Sequence, residues 1–379
     1  MYNKTYLACG LAIVLAASSN HVLADNHALQ VSSEPFGALS NGTPITLFTL
    51  ENSNGLKANI TNFGGILVNL FTPDKNGQMK DIVLGYDTLA GYEQDKSFQG
   101  ALIGRFGNRI AKGQFTLDGK SYQLATNNKT NHLHGGVKGF GKQVWQASPF
   151  TTDSAVGVKL FRLSHDGEEG YPGNVAVTAT YALHEDNRLT LTFEALTDQP
   201  TPINLTQHAY YNLAGSGSIC DHVITFPASN YTPVDSTAIP LGENQPVSDT
   251  PFDFQNGKPV CTDINESNIQ LEYGKGYDHN WVLDKAYGEL ALSARVVEPG
   301  SGRVMEIWSD QPGIQFYSGN FLNGTIQGKG GRSYDYRTAL VLEPQHFPDS
   351  PNQTEFPSTI LQPGQTYRNL IEYRFSVLE

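Results

Sequence analysis

Charge is scarce in this chain. Asp, Glu, Lys and Arg make up only 16% of its 379 residues, against about a quarter in an ordinary soluble protein. Positive charge is scarcer still: 25 Lys and Arg stand against 37 Asp and Glu, for a net −12. No Lys/Arg cluster occurs anywhere along the sequence. A nucleic-acid binder carries a basic patch, so that class is excluded. A site for sugar phosphates would also gather cations, so the deficit favours neutral ligands. No glycine-rich dinucleotide fingerprint is present. The GKGG stretch at 328–331 lacks the strand–glycine–helix context and the trailing Lys-Ser/Thr of a phosphate loop, and reads as a surface loop. No segment beyond the N-terminus is a membrane-span candidate.

Cysteine is equally sparse, with three in the chain: Cys9, Cys220 and Cys261. Their spacing fits neither a zinc nor a redox motif. Cys9 lies in an N-terminal stretch with the features of a secretory signal. Lys4 precedes an apolar run over 7–17, and Val22-Leu23-Ala24 supplies small-residue cleavage chemistry ahead of Asp25. The run is too short for an ordinary membrane-spanning helix. Residues 1–24 are therefore expected to be removed, leaving 25–379 as a secreted or periplasmic protein with no membrane attachment. In an oxidising compartment Cys220 and Cys261 are able to form a disulfide; two buried thiols fit the sequence equally well.

What is abundant is turn chemistry: 38 Gly and 20 Pro, with Asn, Gln, Ser and Thr carrying the polarity. No helical period persists. Short alternating or apolar runs instead recur at 57–62, 66–71, 114–117, 156–163, 175–183, 188–196, 223–226, 289–297, 304–309 and 339–343. Asp118-Gly119 between two runs predicts a hairpin. A short helix is expected within 88–95. The pattern is all-β, of about twenty strands. No linker divides it, so one large domain is expected, a sandwich of antiparallel sheets.

Five segments carry candidate chemistry. PINLTQHAYYNLAG (202–215) alternates: Asn204, Thr206, His208, Tyr210 and Asn212 share one face, with apolar residues prevailing on the other. A polar face without Lys or Glu resembles a cleft floor; a strand whose His is merely hydrogen-bonded in place explains it as well. GRFGNRI (104–110) and NHLHGG (131–136) place Asn108 and Arg109 near His132 and His134. The two histidines, two apart, share a strand face and offer a possible metal pair without an obvious third ligand. YDHNW (277–281) holds Asp278, suited to accept from two vicinal hydroxyls or, more plainly, to cap a turn. GIQFYSG (313–319) sets Gln315 and Tyr317 on one face. In LVLEPQHFPDSP (340–351), Glu343 ends an apolar run, where burial raises a carboxyl pKa toward that of a general base.

In this order, from about Gly104 to Asn352, GRFGNRI, LHGG, NLTQHAYYNLAG, YDHNW, GIQFYSGNF and LEPQHFPDSPN resemble the aldose 1-epimerase (galactose mutarotase) family. The resemblance implies a large antiparallel β-sandwich, the mutarotase supersandwich, with no cofactor or metal. It implies an isomerase that interconverts the α and β anomers of a hexose such as galactose or glucose. It assigns Glu343 as base and His208 as acid. It assigns Asn108, Arg109, His134, Asp278 and Gln315 to sugar binding; Tyr210, sharing His208's face, joins them. The partner is a monosaccharide, and the oligomeric state is left open. Phe106-Gly107 and Gln207 depart from the usual family residues without removing a reacting group. A carbohydrate-binding module and a glycosidase using Asp278 and Glu343 are the competing readings.

Overall fold

The computed structural model describes residues 1–3 and 29–378. The expected leader, with Cys9 and its cleavage site, lies outside them apart from the first three residues. Among the described residues the chain is strand after strand, with only short helices. The expected helix is present as Leu89–Gln94. The expected runs become strands with small end shifts, such as Ala155–Ser164, Val175–His184, Arg188–Thr197 and Leu340–Gln345. The described strands number 28, above the expected count. The surplus comes from pieces such as Arg109–Ile110 and His132–Leu133, too short to show a period. The Asp118-Gly119 hairpin forms with both residues at positive φ, 50° and 76°, the backbone a two-residue turn between twisted strands demands.

Three large antiparallel sheets organise the molecule. The first is five-stranded and built from residues 30–81. The second has nine strands and runs from Gln146–Thr151 through Ala155–Ser164, Val175–His184, Arg188–Thr197, Tyr367–Val377, Arg303–Ser309 and Ala291–Val297 to Val223–Thr225 and Lys258–Pro259. The third is six-stranded, in the order Tyr210–Tyr211, Leu340–Gln345, Gly313–Tyr317, Asp278–Val282, Asn230–Thr232, Gln245–Pro246. One continuous core joins them: Leu50, Leu70, Val158, Leu191, Phe226, Trp281, Phe316, Leu342 and Ile371 belong to a single buried cluster. Burial of this apolar surface is the main force holding the sheets face to face.

Strand alternation in the third sheet prepares the site. Leu340, Leu342, Ile314, Phe316 and Trp281 point into the core. Their neighbours Val341, Glu343, Gln315, Tyr317, Asp278 and Asn280 therefore project from the opposite face. That face is also covered: Val341, Tyr317 and Tyr210 join a smaller cluster with Leu84, Leu322 and Tyr334. A sheet buried on both sides carries its polar groups in a protein interior, not in bulk water.

Cys220 and Cys261 are joined as a disulfide, resolving the alternative left open by the sequence. It closes a loop of 41 residues, worth about 4 kcal/mol in the chain-entropy description.

Burial depresses the pKa of His132, His134, His184, His208, His222, His279 and His346, to about 4 for His208, His222 and His346 and about 3 for His279. Unfolding returns each to about 6.5. The unfolded chain then binds more protons than the folded one, so stability falls as pH drops from about 7 toward 4. Glu343 and Asp349, raised by burial, act in the opposite sense but are fewer. A thermal midpoint that declines steadily across that window is the expected calorimetric result. A midpoint unchanged between pH 7 and 4.5 would contradict it.

Candidate functional site

Cross-strand register assembles most of the site. Asp278 pairs with Tyr317, Tyr317 with Val341, and Val341 with Tyr210. One step along, Asn280 pairs with Gln315, and Gln315 with Glu343. Two parallel rows of side chains thus emerge from one sheet face. Glu343 is 2% exposed, enclosed at the end of the Leu340-Val341-Leu342 run.

The imidazole comes from a neighbouring element. Thr206–His208 pairs with Ala101–Ile103, after which the chain passes Ala209 and re-pairs as Tyr210–Tyr211 with Leu340–Gln345. The expected continuous strand is thus broken at Ala209, because its two halves serve different sheets. This step brings His208 Nε2 to 4.0 Å from Glu343 Oε2. It also alters the expected cleft face. Asn204 is spent on the Gly107 and His346 carbonyls, and Asn212 on those of Gly217 and Thr338. Both anchor backbone. His208 and Tyr210 lie together, with ring centroids 5.2 Å apart. The Tyr210 hydroxyl donates to the Ser97 carbonyl, so its contribution to the site is its ring.

His134 enters from a third direction. Its φ is +50°, and that of Asn108 is +63°, conformations in which Asn is common and His less so. The Asn108 N–H donates to His134 Nδ1 at 3.1 Å, and the His134 N–H to the Asn108 carbonyl at 3.0 Å. With Nδ1 accepting, the neutral ring carries its proton on Nε2 and is a donor there. A Cβ on Gly135, whose φ is +81°, would lie 1.8 Å from the Gly104 carbonyl oxygen. This is why GRFGNRI and LHGG work as one unit: the second segment lies directly on the first. His134 and His208 rings meet edge to face at 5.1 Å.

The expected pairing of His132 with His134 is not realised. The strand stops at Leu133, and the left-handed turn at His134 sends the two rings apart. His132 lies 2.6 Å from the Ala125 carbonyl and 2.6 Å from the Tyr171 hydroxyl, a buried structural ring. His134 instead converges with His208 and Glu343, their nitrogen and oxygen atoms all within 4.8 Å of one another.

Arg109 lies 3.8 Å from Asp278, and also reaches Asn128 and Asn108. Asp278 opens its strand and caps no turn; its Oδ1 accepts from Gln315 Nε2 at 2.8 Å. Gln315 Oε1, Glu343 Oε1 and His208 Nδ1 have no protein partner despite burial. Unpaired buried polar atoms are costly, and their concentration here marks a place built to receive hydroxyl groups.

Protonation is set by burial. Glu343 is pushed well above the ordinary carboxyl range by desolvation, reinforced by the Asp278 charge and opposed by Arg109. Desolvation holds His208 down to about 4, and His134 well below its usual value, with the nearby His208 and Arg109 adding to the fall. Both shifts run against the charged forms that a general base and a general acid use. A low-dielectric interior favours the neutral acid beside the neutral ring, a pair that still holds one proton.

Phe98 carries no signal in the local sequence. Its ring packs 4.9 Å from His134 and 5.8 Å from His208, at a positive φ unusual for an aromatic residue. Asp95 pins the turn beneath it by accepting from the Ser97 and Gln99 N–H groups. Nothing in the local pattern DKSFQG distinguishes it from an ordinary loop phenylalanine.

Together the supersandwich and its buried carboxyl–imidazole cluster define a β-sheet enzyme built for proton transfer to a polyhydroxyl ligand. Residues 46–374 match the family model for aldose 1-epimerase. The chain is 44% identical over 350 residues to galactose mutarotase from Homo sapiens, covering 92% of this chain and 99% of that one. It is 36% identical over 339 residues to aldose 1-epimerase from Escherichia coli (strain K12), covering 88% and 96%. A solved aldose epimerase homologue from C. elegans superposes with a TM-score of 0.81 at 32% identity, covering 88% and 99%. The chain belongs to the aldose 1-epimerase family, and it is an isomerase of sugar anomers.

Gly135→Ala tests the contact that seats His134. The added methyl must displace either the Gly104 carbonyl or the His134 backbone, at a strained φ. Turnover is expected to fall by about tenfold or more, with a lowered thermal midpoint. A variant unchanged in both would show that this packing does not hold His134 in place.

Proposed function

We propose that this protein interconverts the α and β anomers of a hexose, galactose or glucose, with Glu343 as general base and His208 as general acid. The observation that carries this assignment is the 4.0 Å approach of His208 Nε2 to Glu343 Oε2 in a buried site. Ring opening requires loss of the proton on O1 and gain of one by O5. Glu343 takes the first as the C1–O5 bond breaks and C1=O1 forms; His208 delivers the second. Rotation about C1–C2 turns the other aldehyde face to O5. The O5 hydroxyl then attacks, returning its proton to His208 while O1 recovers one from Glu343. No net proton is consumed, and the pair ends as it began.

A neutral carboxyl beside a neutral imidazole, the forms that both shifts favour, contains the single proton this cycle needs. Sugar hydroxyls donating to Glu343 favour its ionised form and shift that proton toward His208. His134, a donor at Nε2, and Arg109 stabilise charge as it builds on the ring oxygen. Asp278 and Gln315, already joined to each other, grip vicinal hydroxyls. Asn108 fixes His134 and Arg109, while Tyr210 and Phe98 wall the acid.

Each positioned acid or base contributes about 10²–10⁴-fold. Glu343→Gln and His208→Asn are each expected to lower turnover by that order while sugar still binds. Polarimetry of freshly dissolved α-glucose or α-galactose measures it, and near-normal turnover in either variant would overturn the roles. The pH profile is expected to be bell-shaped. Activity fails near pH 4, where His208 gains a proton beside the protonated Glu343 and no base remains. It fails again at high pH, once Glu343 loses its proton and no acid remains.

We further propose that the protein works outside the cytoplasm. The leader at 1–24 and the Cys220–Cys261 disulfide both fit an oxidising compartment. Mass spectrometry of the exported protein is expected to show a mature N-terminus at Asp25. Recovery of the full chain from the cytoplasm alone would rule this out.

A further inference from the structure

The strand that carries Glu343 continues to Gln345, whose side chain projects from the same sheet face two residues on. Gln345 is fully buried, and neither its amide oxygen nor its amide nitrogen has a protein partner. Its cross-strand neighbour is Gly313, where a Cβ would lie 2.5 Å from Asn280 Oδ1, another unpartnered buried atom. Residues 204–211 run antiparallel beside the same strand: Tyr210 pairs with Val341, His208 faces Glu343, and Asn204 bonds the His346 backbone. That course brings Thr206 alongside Gln345. Thr206 Oγ1 is likewise enclosed and unpaired.

Unpartnered polar atoms therefore recur at strand positions neighbouring Glu343, whose Oε1 is itself unpartnered. Native proteins rarely leave such groups unpaired, because each has given up the hydrogen bonds it made in water. An enclosed water making two to four hydrogen bonds is the group that suits such a cluster. We propose that Gln345 and Thr206 are positioning residues for Glu343, acting on its Oε1 across a shared enclosed water. The Gln345 amide nitrogen donates to that water, which donates in turn to Oε1 and so favours the ionised base. The inference rests on the role proposed above for Glu343.

Gln345→Met keeps the length and removes both polar ends. The enclosed water keeps Glu343 and Thr206 as partners after this exchange, so the thermal midpoint should change little. Meanwhile kcat should fall about 10- to 100-fold as the base loses its orientation, with KM little changed. The alkaline limb of the pH profile should move to higher pH, because the water donating to the ionised carboxylate has lost the amide that donates to it. Thr206→Val should act in the same direction with a smaller effect, and Thr206→Ser should restore the parent behaviour. An unchanged kcat and alkaline limb in Gln345→Met would overturn the proposal. So would a lost kcat accompanied by a lower midpoint and an unmoved limb, since that combination describes a packing residue. If Glu343→Gln is inactive and Gln345→Met is normal, only this inference fails. If Glu343→Gln is itself active, the function proposed above fails first.

Discussion

The enclosure of one carboxyl group opposite one imidazole is the constraint to which the rest of this structure answers. In water, Glu343 would be ionised at neutral pH and His208 close to its own titration point. Within the sheet interior desolvation drives both toward neutrality. A pair in that state can give a proton at one atom of a ring and take one at another. Removing the enclosure would leave the same residues with two ordinary charge states and a hydrated gap between them.

The fold creates that enclosure by covering both faces of the six-stranded sheet. One face packs on the main core through Leu340, Leu342, Phe316 and Trp281. The other is sealed around its rim by Tyr210, Tyr317 and Val341, and by Phe98 against the two imidazoles. Two adjustments of the backbone complete it. The chain changes partner strands at Ala209, which carries His208 across to Glu343. The left-handed turn at His134, allowed by the close approach of Gly135 to Gly104, aims a second ring at the first. Neither adjustment stabilises the fold on its own account; positive φ at a non-glycine residue costs energy. Such strain is tolerated where the surrounding structure dictates it, and here it lies where the chemistry is concentrated.

Binding and chemistry are partly separated within the cluster. Asp278, Gln315 and Arg109 already engage one another or their neighbours, so they meet a ligand as a preset frame. Glu343 Oε1 and His208 Nδ1 have no such partners. Groups held in advance orient a substrate at little entropic cost, whereas the reacting groups remain free to change their protonation.

Legibility from sequence followed length scale. Long strands such as Val175–His184 and Arg188–Thr197 announce themselves because alternation over many residues has one structural solution. The Asp118-Gly119 hairpin and the apolar approach to Glu343 are local for the same reason, and the ordered motifs identified the family and nominated its residues. Two-residue strands, the break at Ala209, the parting of His132 from His134 and the presence of Phe98 were not legible. Each depends on which distant segment lies alongside, and no local period encodes that. By itself, then, the chain determined its all-β class and its stock of reactive side chains, because those follow from residue type and alternation. Which of them meet, and with which protons, was decided only by tertiary packing, because distance and desolvation are properties of neighbours that sequence separation does not measure.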